Sequence, residues 1–313
     1  MTYNQLWKRL TVIYNEREAQ AIVRTVLDAL FGMSLTDICL GKVTQLSADD
    51  TTRLEKIMQR LEKSEPVQYV LGAEWFAGRL FDVAPGVLIP RPETEDLVKW
   101  ACDEAKEKED NSKEERGKEE KEVPKKGEEA PHPSILDIGT GSGCIAITVA
   151  LALPQARVTA WDISTDALAI AAGNAHRLGA SVRFEHQDAL SAPDDEERWD
   201  VIVSNPPYIC DRERADMSDN VLSYEPELAL FVPDSDPLLF YRAIARYASK
   251  ALKPGGRLLF ETNTAYAHEV AQAMANEGFT AIEVRNDCFG KPRMVKGSFF
   301  KGKKRADAFI REK

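Results

Sequence analysis

The sequence predicts a doubly wound α/β domain with a mostly parallel, seven-stranded sheet, which follows a small helical domain and a β-hairpin linker. From Ser134 onward, short apolar segments with strand character alternate with apolar helical segments. Such alternation implies a mostly parallel sheet with helices on both faces. Residues 1–65 instead carry apolar side chains at helical spacing. Between these two parts, two short extended runs flank Ala77-Gly78, a pattern typical of a hairpin.

The part of the chain from 134 to 300 is expected to form one domain. Its seven predicted strands span residues 135–138, 158–161, 182–185, 201–203, 257–261, 282–285 and 293–299. Its predicted helices span residues 144–153, 165–178, 237–252 and 266–277. Lys-Pro-Gly-Gly at 253–256 predicts a sharp turn, because proline and glycine interrupt regular structure.

The first 90 residues are expected to form a helical domain at 1–65 and a hairpin linker at 66–90. The clearest apolar stripe of the helical domain has i, i+3 and i+4 spacing and consists of Ile22, Val23, Val26, Leu27 and Leu30. A connecting helix is predicted at 91–102. Pro92 suits the first turn of that helix, and Glu93 suits its positive end.

Two charged segments lie outside these domains. Residues 103–133 form a mixed-charge, low-complexity insert with almost no apolar side chains, so they bury too little surface to offset the entropy of ordering. We expect a solvated helical extension followed by a linker, without a functional site. The basic segment at 301–313, KGKKRADAFIREK, is likewise expected to be a solvated tail.

Composition and charge exclude several classes of protein. The net charge of −10 argues against a general binder of phosphate backbones, which needs clustered positive charge. The five cysteines are odd in number, far apart and without a C-x-x-C pair, which argues against a disulfide framework or a zinc site. The first residues, MTYNQLWKRL, lack the apolar core of a signal peptide, and no apolar run approaches the length of a membrane span. A cytoplasmic protein is therefore expected, with no metal.

The first strand of the sheet runs into a glycine-rich loop, Gly139-Thr140-Gly141-Ser142-Gly143. Glycines let the backbone come close to a ligand at the carboxyl end of a strand. Asp162 ends the second strand, where a carboxylate can accept hydrogen bonds from both ribose hydroxyls. Asp188 follows the third strand, where it can accept a hydrogen bond from the exocyclic amine of an adenine. The alternative is a tight turn that binds nothing, with the two carboxylates as ordinary surface residues.

The loop alone leaves a nicotinamide dinucleotide and S-adenosylmethionine (SAM) open as the cofactor, and the end of the fourth strand favours SAM. There the chain reads Asn205-Pro206-Pro207-Tyr208. The prolines stiffen the loop, and the residue before a proline is held extended. Asn205 Oδ1 and the carbonyl of Pro206 can each accept one N–H of a planar amide or amine, and Tyr208 can stack on it. This arrangement suits methyl transfer to nitrogen and has no evident use in hydride transfer.

Four segments together closely resemble the release-factor glutamine methyltransferases. They are LIPRPETE at 88–95, ILDIGTGSG at 135–143, SNPPYI at 204–209 and YEPELAL at 224–230. The resemblance covers nearly the whole chain and implies a class I SAM-dependent methyltransferase domain. It also implies an enzyme of the EC 2.1.1 class that methylates N5 of the glutamine in the Gly-Gly-Gln motif of class-1 peptide chain release factors. One departure is Glu261-Thr262-Asn263, which lacks the expected glycine and glutamine.

The resemblance also implies roles for single residues. Residues 139–143 would hold the methionine end of SAM, Asp162 its ribose, and Asp188 and Ala189 its adenine. Residues 205–208 would hold the substrate glutamine, with Asn205 next to the cofactor as well. The N-terminal helices would dock the release factor. A monomer that binds neither nucleic acid nor membrane is expected.

The sequence is also compatible with three other functions. An adenine-N6 nucleic-acid methyltransferase has the same chemistry on a flipped base, but it needs a basic cleft facing Asn205. A non-catalytic module that recognises a translation factor would fail to bind the cofactor. A nicotinamide dehydrogenase would share only the glycine loop.

Overall fold

The computed structural model describes residues 1–118, 132–287, 289–300 and 310–312. Its N-terminal part is helical, as the apolar stripes predict. The helices of this part are α1 (Tyr3–Leu10), α2 (Glu16–Phe31), α3 (Leu35–Cys39), α4 (Ala48–Leu61) and α5 (Val67–Leu71). Asn15 and Ser47 begin α2 and α4, since each side chain accepts a hydrogen bond from a backbone N–H of the first turn. The apolar faces meet in one core with Leu6, Leu27 and Leu54 at its centre.

A two-stranded hairpin, β1 (Ala73–Phe76) and β2 (Arg79–Asp82), follows the helical domain. Ala77 and Gly78 both have positive φ, 48° and 73°, as a tight two-residue turn requires. Phe76 and Phe81 are buried and pack edge to face. Their burial fixes the hairpin against the larger domain, because both rings belong to the core beneath the next helix.

Helix α6 (Glu93–Lys118) covers one face of the sheet and continues well past residue 102. The expected solvated extension from 103 is wrong for its first turns. Glu104 is 5% exposed, and its carboxylate accepts hydrogen bonds from Trp100 Nε1 and Arg257 Nε at 3.0 and 2.9 Å. Lys108 contacts Asp200. The charged composition of this segment gives no sign that it packs on the sheet. Its charged side chains can be buried because residues of opposite charge pair with them. Residues 119–131 of the predicted insert lie outside the described residues.

Replacing Glu104 with glutamine is expected to lower the free energy of unfolding by about 2 kcal/mol, as hydrogen bonds to charged partners are lost. The amide N–H₂ of the variant would face Arg257 or Lys296, which are donors themselves. Denaturant unfolding of the variant beside the wild type measures the difference. Glu107→Gln, on the exposed side of the same helix, is the control and should change stability little. Equal stability of all three proteins would contradict this account of the helix.

The central sheet contains the seven predicted strands and one more. Its strands are β3 (Ser134–Ile138), β4 (Arg157–Asp162), β5 (Val182–His186), β6 (Trp199–Ser204), β9 (Leu252–Glu261), β10 (Phe279–Asn286), β11 (Pro292–Phe299) and β12 (Ile310–Glu312). Across the sheet the order is β5-β4-β3-β6-β9-β11-β10-β12. The first five of these are mutually parallel, while β11 runs antiparallel to both neighbours.

The chain reverses its winding direction between β3 and β6. It moves outward from β3 to β4 and β5, then returns to place β6 on the other side of β3. Ligands of open α/β sheets bind at such a switch point, beyond the carboxyl ends of the strands. The glycine loop follows β3, and Asn205 follows β6. The topology therefore brings the two sequence motifs to the two sides of one crevice.

Helices cover both faces of the sheet, as the alternation predicts. The helices α7 (Cys144–Ala152) and α8 (Thr165–Leu178) share one face with α6, and α11 (Leu239–Ala251) and α12 (Ala267–Asn276) cover the other. Between β6 and α11 lie the short β7 (Ile209–Cys210), α9 (Asp219–Tyr224), α10 (Glu227–Leu230) and β8 (Phe231–Val232). Within the described parts of the chain, no helix is long and apolar enough to cross a membrane.

Three local predictions differ from the structure. Helix α5 (Val67–Leu71) occupies the start of the segment 66–90 predicted as a hairpin linker, so the helical domain extends past residue 65. The predicted turn at 253–256 lies inside β9, where Gly255 has a φ of 71° and the pairing with β6 shifts register after Trp199. The chain therefore bends at a β-bulge around Gly255, and the pairing of β9 with β6 continues on both sides of it. The tail predicted to be solvated contributes β12, which pairs in parallel with β10 through residues 282–284. The remainder of that tail, 301–309 and 313, is not among the described residues, nor is Cys288.

Candidate functional site

The glycine loop 139–143 is shaped by three left-handed residues. Gly139, Gly141 and Gly143 have φ values of 76°, 55° and 83°, which other residues adopt only with strain. A Cβ on Gly139 or Gly141 would meet no atom within 4 Å, so both face open space. A Cβ on Gly143 would lie 2.7 Å from Ile147 Cδ1 and 3.1 Å from Ala171 Cβ. The loop is thus open on the crevice side and tightly packed on the helix side.

Asp137 supports this loop from below and was not singled out from the sequence. It is fully buried at the end of β3, and its Oδ2 accepts from Thr140 Oγ1 at 2.6 Å and from Ala146 N at 3.2 Å. Burial raises the pKa of its carboxyl to about 7. Among the described residues, Asp137 Oδ1 and Ser142 Oγ are buried polar atoms without a hydrogen-bond partner. The signal in the sequence was a carboxylate inside an otherwise apolar strand.

Asp162 lies directly beside the loop, as its position at the end of β4 predicts. Its Oδ2 accepts a hydrogen bond from Gly141 N at 2.8 Å, and its Oδ1 accepts from Ser164 N at 2.9 Å. Each carboxylate oxygen has a second lone pair, so two acceptor positions remain for a diol. The carbonyl of Trp161 accepts from the N–H groups of Gly139 and Thr140, both at 2.9 Å. The ends of β3 and β4 therefore form one unit.

Asp188 and Ala189 lie beyond the end of β5, at the same edge of the sheet. Asp188 Oδ1 accepts from Leu190 N at 2.8 Å and begins a short 3₁₀ turn at Ala189–Ser191. The preceding N–H, of Gln187, donates to the carbonyl of Asp162 at 3.0 Å. No hydrogen bond joins Asp188 to the glycine loop within the described residues. Sheet topology, rather than a direct contact, places this carboxylate near the crevice.

The Asn-Pro-Pro-Tyr segment leaves β6 opposite the glycine loop. Ser204 Oγ donates to the carbonyl of Ile138 at 2.7 Å and holds the two strand ends together. Asn205 is half-buried, Pro206 is buried, and Tyr208 N donates to the carbonyl of Leu230 at 3.2 Å. Across the described chain, no hydrogen bond reaches Asn205 Oδ1 or the Pro206 carbonyl. These are the two acceptors that the sequence assigns to a planar amide.

Two residues behind this segment, Thr94 and Glu261, were missed as site residues. Asn205 Nδ2 donates to Thr94 Oγ1 at 3.4 Å, and Thr94 Oγ1 donates to Glu261 Oε2 at 2.6 Å. Tyr208 Oη donates to Glu261 Oε1 at 3.4 Å. Thr94 and Glu261 are 2% and 1% exposed. Burial raises the pKa of the Glu261 carboxyl to about 7, against the hydrogen bond from Thr94 that lowers it.

The segments LIPRPETE and YEPELAL meet beside this cluster. Arg91 pairs with Glu225 at 2.6 Å, and Ile89 N donates to the same carboxylate at 3.2 Å. Glu225 is buried, so the pair acts as an internal tie. Tyr224 Oη donates to the carbonyl of Lys63 at 2.8 Å, which links this region to the helical domain. Long-range pairing thus brings together motifs that are far apart in the sequence.

The residues around the crevice fit SAM. The loop at 139–143 faces open space with its backbone, as close approach of a ligand requires. The buried, unpartnered Asp137 Oδ1 and Ser142 Oγ are oxygens suited to an amino-acid group, and Asp162 is suited to a ribose. The crevice therefore combines an edge whose residues fit a nucleoside with a loop that presents two acceptors, Asn205 Oδ1 and the Pro206 carbonyl.

Comparisons with known proteins find relatives that cover most of the chain. The family model described as "PrmC N-terminal domain" matches residues 4–72, and "Methyltransferase small domain" matches residues 124–223. The release factor glutamine methyltransferase of Bacteroides thetaiotaomicron is 44% identical over 284 residues, covering 90% of this chain and 94% of that protein. The proteins of the same name from Flavobacterium psychrophilum and Neisseria gonorrhoeae are 37% and 39% identical. They cover 94% and 80% of this chain, and 97% and 82% of their own lengths.

Proposed function

The chain belongs to the release factor glutamine methyltransferase family, and we propose that it methylates N5 of the glutamine in the Gly-Gly-Gln motif of class-1 peptide chain release factors. SAM is the methyl donor. The observation that carries the proposal is the placement of Asn205 Oδ1 and the Pro206 carbonyl, two acceptors beside the glycine loop at the switch point of the sheet. An amide N–H₂ has two donors to satisfy, and these two oxygens match them.

The protein contributes mainly position to this reaction. When bound, SAM supplies an electrophilic methyl group, so no covalent nucleophile is required of the protein. An amide nitrogen is a poor nucleophile because its lone pair is delocalised. In our proposal Asn205 and Pro206 orient that nitrogen toward the methyl group, Pro207 stiffens the loop, and Tyr208 packs against the amide plane. Holding reactants in an attack geometry is itself a large source of rate acceleration.

The cofactor is assigned to the opposite side of the crevice. We propose that residues 139–143 hold its methionine end, that Asp162 accepts from its ribose hydroxyls, and that Asp188 and Ala189 flank its adenine. Support comes from the open space at Gly139 and Gly141 and from the position of Asp162 against Gly141. Asn205 is shared between the two halves of the site.

Replacing Asp162 with alanine is expected to weaken SAM binding by about 10- to 100-fold, because charge-assisted hydrogen bonds are lost. Isothermal titration with SAM measures the dissociation constant of the variant and the wild type. Asp166→Ala is the control, since Asp166 lies exposed in the first turn of the following helix. If Asp162→Ala binds SAM as the wild type does while folding normally, the ribose assignment is wrong.

The release factor is proposed to dock on the N-terminal domain and reach the crevice past Tyr224. The hydrogen bond from Tyr224 Oη to the Lys63 carbonyl supports this, since it joins that domain to the rim of the site. We also propose a monomer that acts in the cytoplasm and binds no nucleic acid directly. A net charge of −10 supports the last point, and the exposed free thiol of Cys39 supports a reducing compartment.

The function is tested by incubating the protein with SAM carrying a labelled methyl group and a purified class-1 release factor. The matched substrate is the same release factor with the glutamine of its Gly-Gly-Gln motif replaced by alanine. Label on the unmodified factor alone is the expected result. Label on neither factor, with transfer to adenine in DNA, would instead identify a nucleic-acid methyltransferase.

A further inference from the structure

We propose that Thr94 and Glu261 set the orientation of the Asn205 side-chain amide, so that its oxygen rather than its nitrogen faces the substrate. The proposal rests on the proposed function and assigns two positioning residues to it. Thr94 lies in the first turn of α6, and Glu261 ends β9. Both are remote from Asn205 in the sequence, and both are almost fully buried.

The order of donors in this chain of hydrogen bonds follows from elementary chemistry. An ionised carboxylate only accepts hydrogen bonds, so the contact of 2.6 Å between Glu261 Oε2 and Thr94 Oγ1 uses the single proton of the threonine hydroxyl. With its proton committed, Thr94 Oγ1 presents only lone pairs to Asn205. The amide nitrogen of Asn205 must therefore be the atom that faces Thr94, at 3.4 Å.

This order decides which end of the amide faces the crevice. An asparagine amide has two nearly isosteric ends, and rotation by 180° exchanges an acceptor for a donor. A glutamine amide brings N–H donors to Asn205 and to the Pro206 carbonyl, so a rotated Asn205 would place two donors face to face. The buried Thr94–Glu261 pair prevents that state because it offers no proton to Asn205 Oδ1. Thr94 and Glu261 thus set the specificity for an N–H₂ group through Asn205, without touching the substrate themselves.

The ionisation of Glu261 controls the arrangement. Once protonated, the carboxyl can donate to Thr94 Oγ1, which frees the threonine proton to point at Asn205 and stabilises the rotated amide. The ionised form predominates above the Glu261 pKa, which burial raises to about 7. The rate of methyl transfer is therefore expected to fall as the pH is lowered through about 7.

Five other titratable or charged groups of the described chain also face Glu261 and affect its ionisation or titrate near it. They come from five elements or their ends and are Glu93, Cys144, Tyr208, Tyr241 and Arg293. The charge of Glu93 raises the Glu261 pKa, whereas that of Arg293 lowers it. Burial raises the pKa values of the cysteine and of both tyrosines, which moves them away from neutrality. Burial also raises the pKa of Asp137, below the glycine loop, to about 7, so a variant of Glu261 is needed to assign the effect.

The first test compares Thr94→Val with Thr94→Ser in the full-length protein, using labelled SAM and a release factor. Valine keeps the shape of threonine and removes the hydroxyl, whereas serine keeps the hydroxyl. We expect kcat of the valine variant to fall by about 10- to 100-fold, the effect of an amide left without its buried partner. The serine variant should recover most of that loss. SAM dissociation constants and thermal midpoints, measured in parallel, separate misorientation from misfolding.

The second test records kcat against pH for the wild type and for Glu261→Gln. The wild-type rate should fall toward acid with a midpoint near 7, and the variant should lack that fall because glutamine does not titrate. Equal kcat for Thr94→Val and wild type, or equal loss in the valine and serine variants, would overturn the proposal. An unchanged acid limb in Glu261→Gln would do the same. If the wild type itself fails to methylate a release factor, the proposed function fails instead.

Discussion

Replacing Asn205 with alanine is expected to lower kcat for methyl transfer by about 100-fold or more while SAM binding stays within a few-fold of the wild type. The variant loses an acceptor that positions the reacting nitrogen, and small losses of positioning cost about that much in rate. The side chain leaves β6 next to the end of β3, so its removal changes neither strand. A release-factor assay with labelled SAM and a separate titration of SAM measure the two quantities.

Asn286→Ala is the matched control for this experiment. Asn286 is exposed at the end of β10, near the far edge of the sheet. The control should retain the wild-type rate and thermal midpoint. A wild-type rate in Asn205→Ala would show that groups other than Asn205 position the amide nitrogen of the substrate. Loss of SAM binding in parallel with the rate would show that Asn205 acts mainly through its contact with the cofactor and not by holding the substrate.

Gly143→Ala is expected to lower the free energy of unfolding by about 3 kcal/mol, the sum of a left-handed backbone and an overpacked contact. The φ of 83° is unfavourable for alanine, and the new Cβ would meet Ile147 Cδ1 at 2.7 Å. The isoleucine can rotate away, but the backbone Cα of Ala171, at 3.3 Å, cannot. The first turn of α7 and helix α8 would have to separate, and SAM binding should weaken with them. Thermal and denaturant unfolding measure the loss.

Gly173→Ala provides the control for that substitution. Gly173 lies on the exposed side of α8, and a Cβ there would meet no atom within 4 Å. Alanine is a better helix former, so this variant should be more stable by about 0.5–1 kcal/mol. A Gly143→Ala protein as stable as the wild type would mean that the loop has room to relax. Its glycine would then serve the ligand and not the packing.

The strands that flank the crevice were predictable because β3, β4 and β6 are short, mostly apolar runs that end at Gly139, at Asp162 and at the Asn-Pro-Pro of 205–207, whereas β12, in a charged tail, was missed. Val201, Ile202 and Val203 in β6 are fully buried. A strand buried on both faces is a continuous apolar run, which is easily recognised in a sequence. The segment from 103 was mispredicted for the opposite reason. Glu104 is polar in sequence but buried in the fold, since Arg257 and Lys296 neutralise it from β9 and β11. Pairing between remote charges leaves no local signal.

The sequence by itself determined the motifs, namely the glycine loop, the carboxylate ending β4 and the stiff loop after β6. Their chemistry depends on residue types and on neighbours within a few positions, which the chain order specifies. Only the tertiary structure decided that Thr94, from the helix after the hairpin, and Glu261, from β9 of the central sheet, lie behind Asn205. Which residue donates and which accepts in a chain of hydrogen bonds depends on the residues that are in contact. Thr94, Glu261 and Asn205 come into contact only after the sheet has formed.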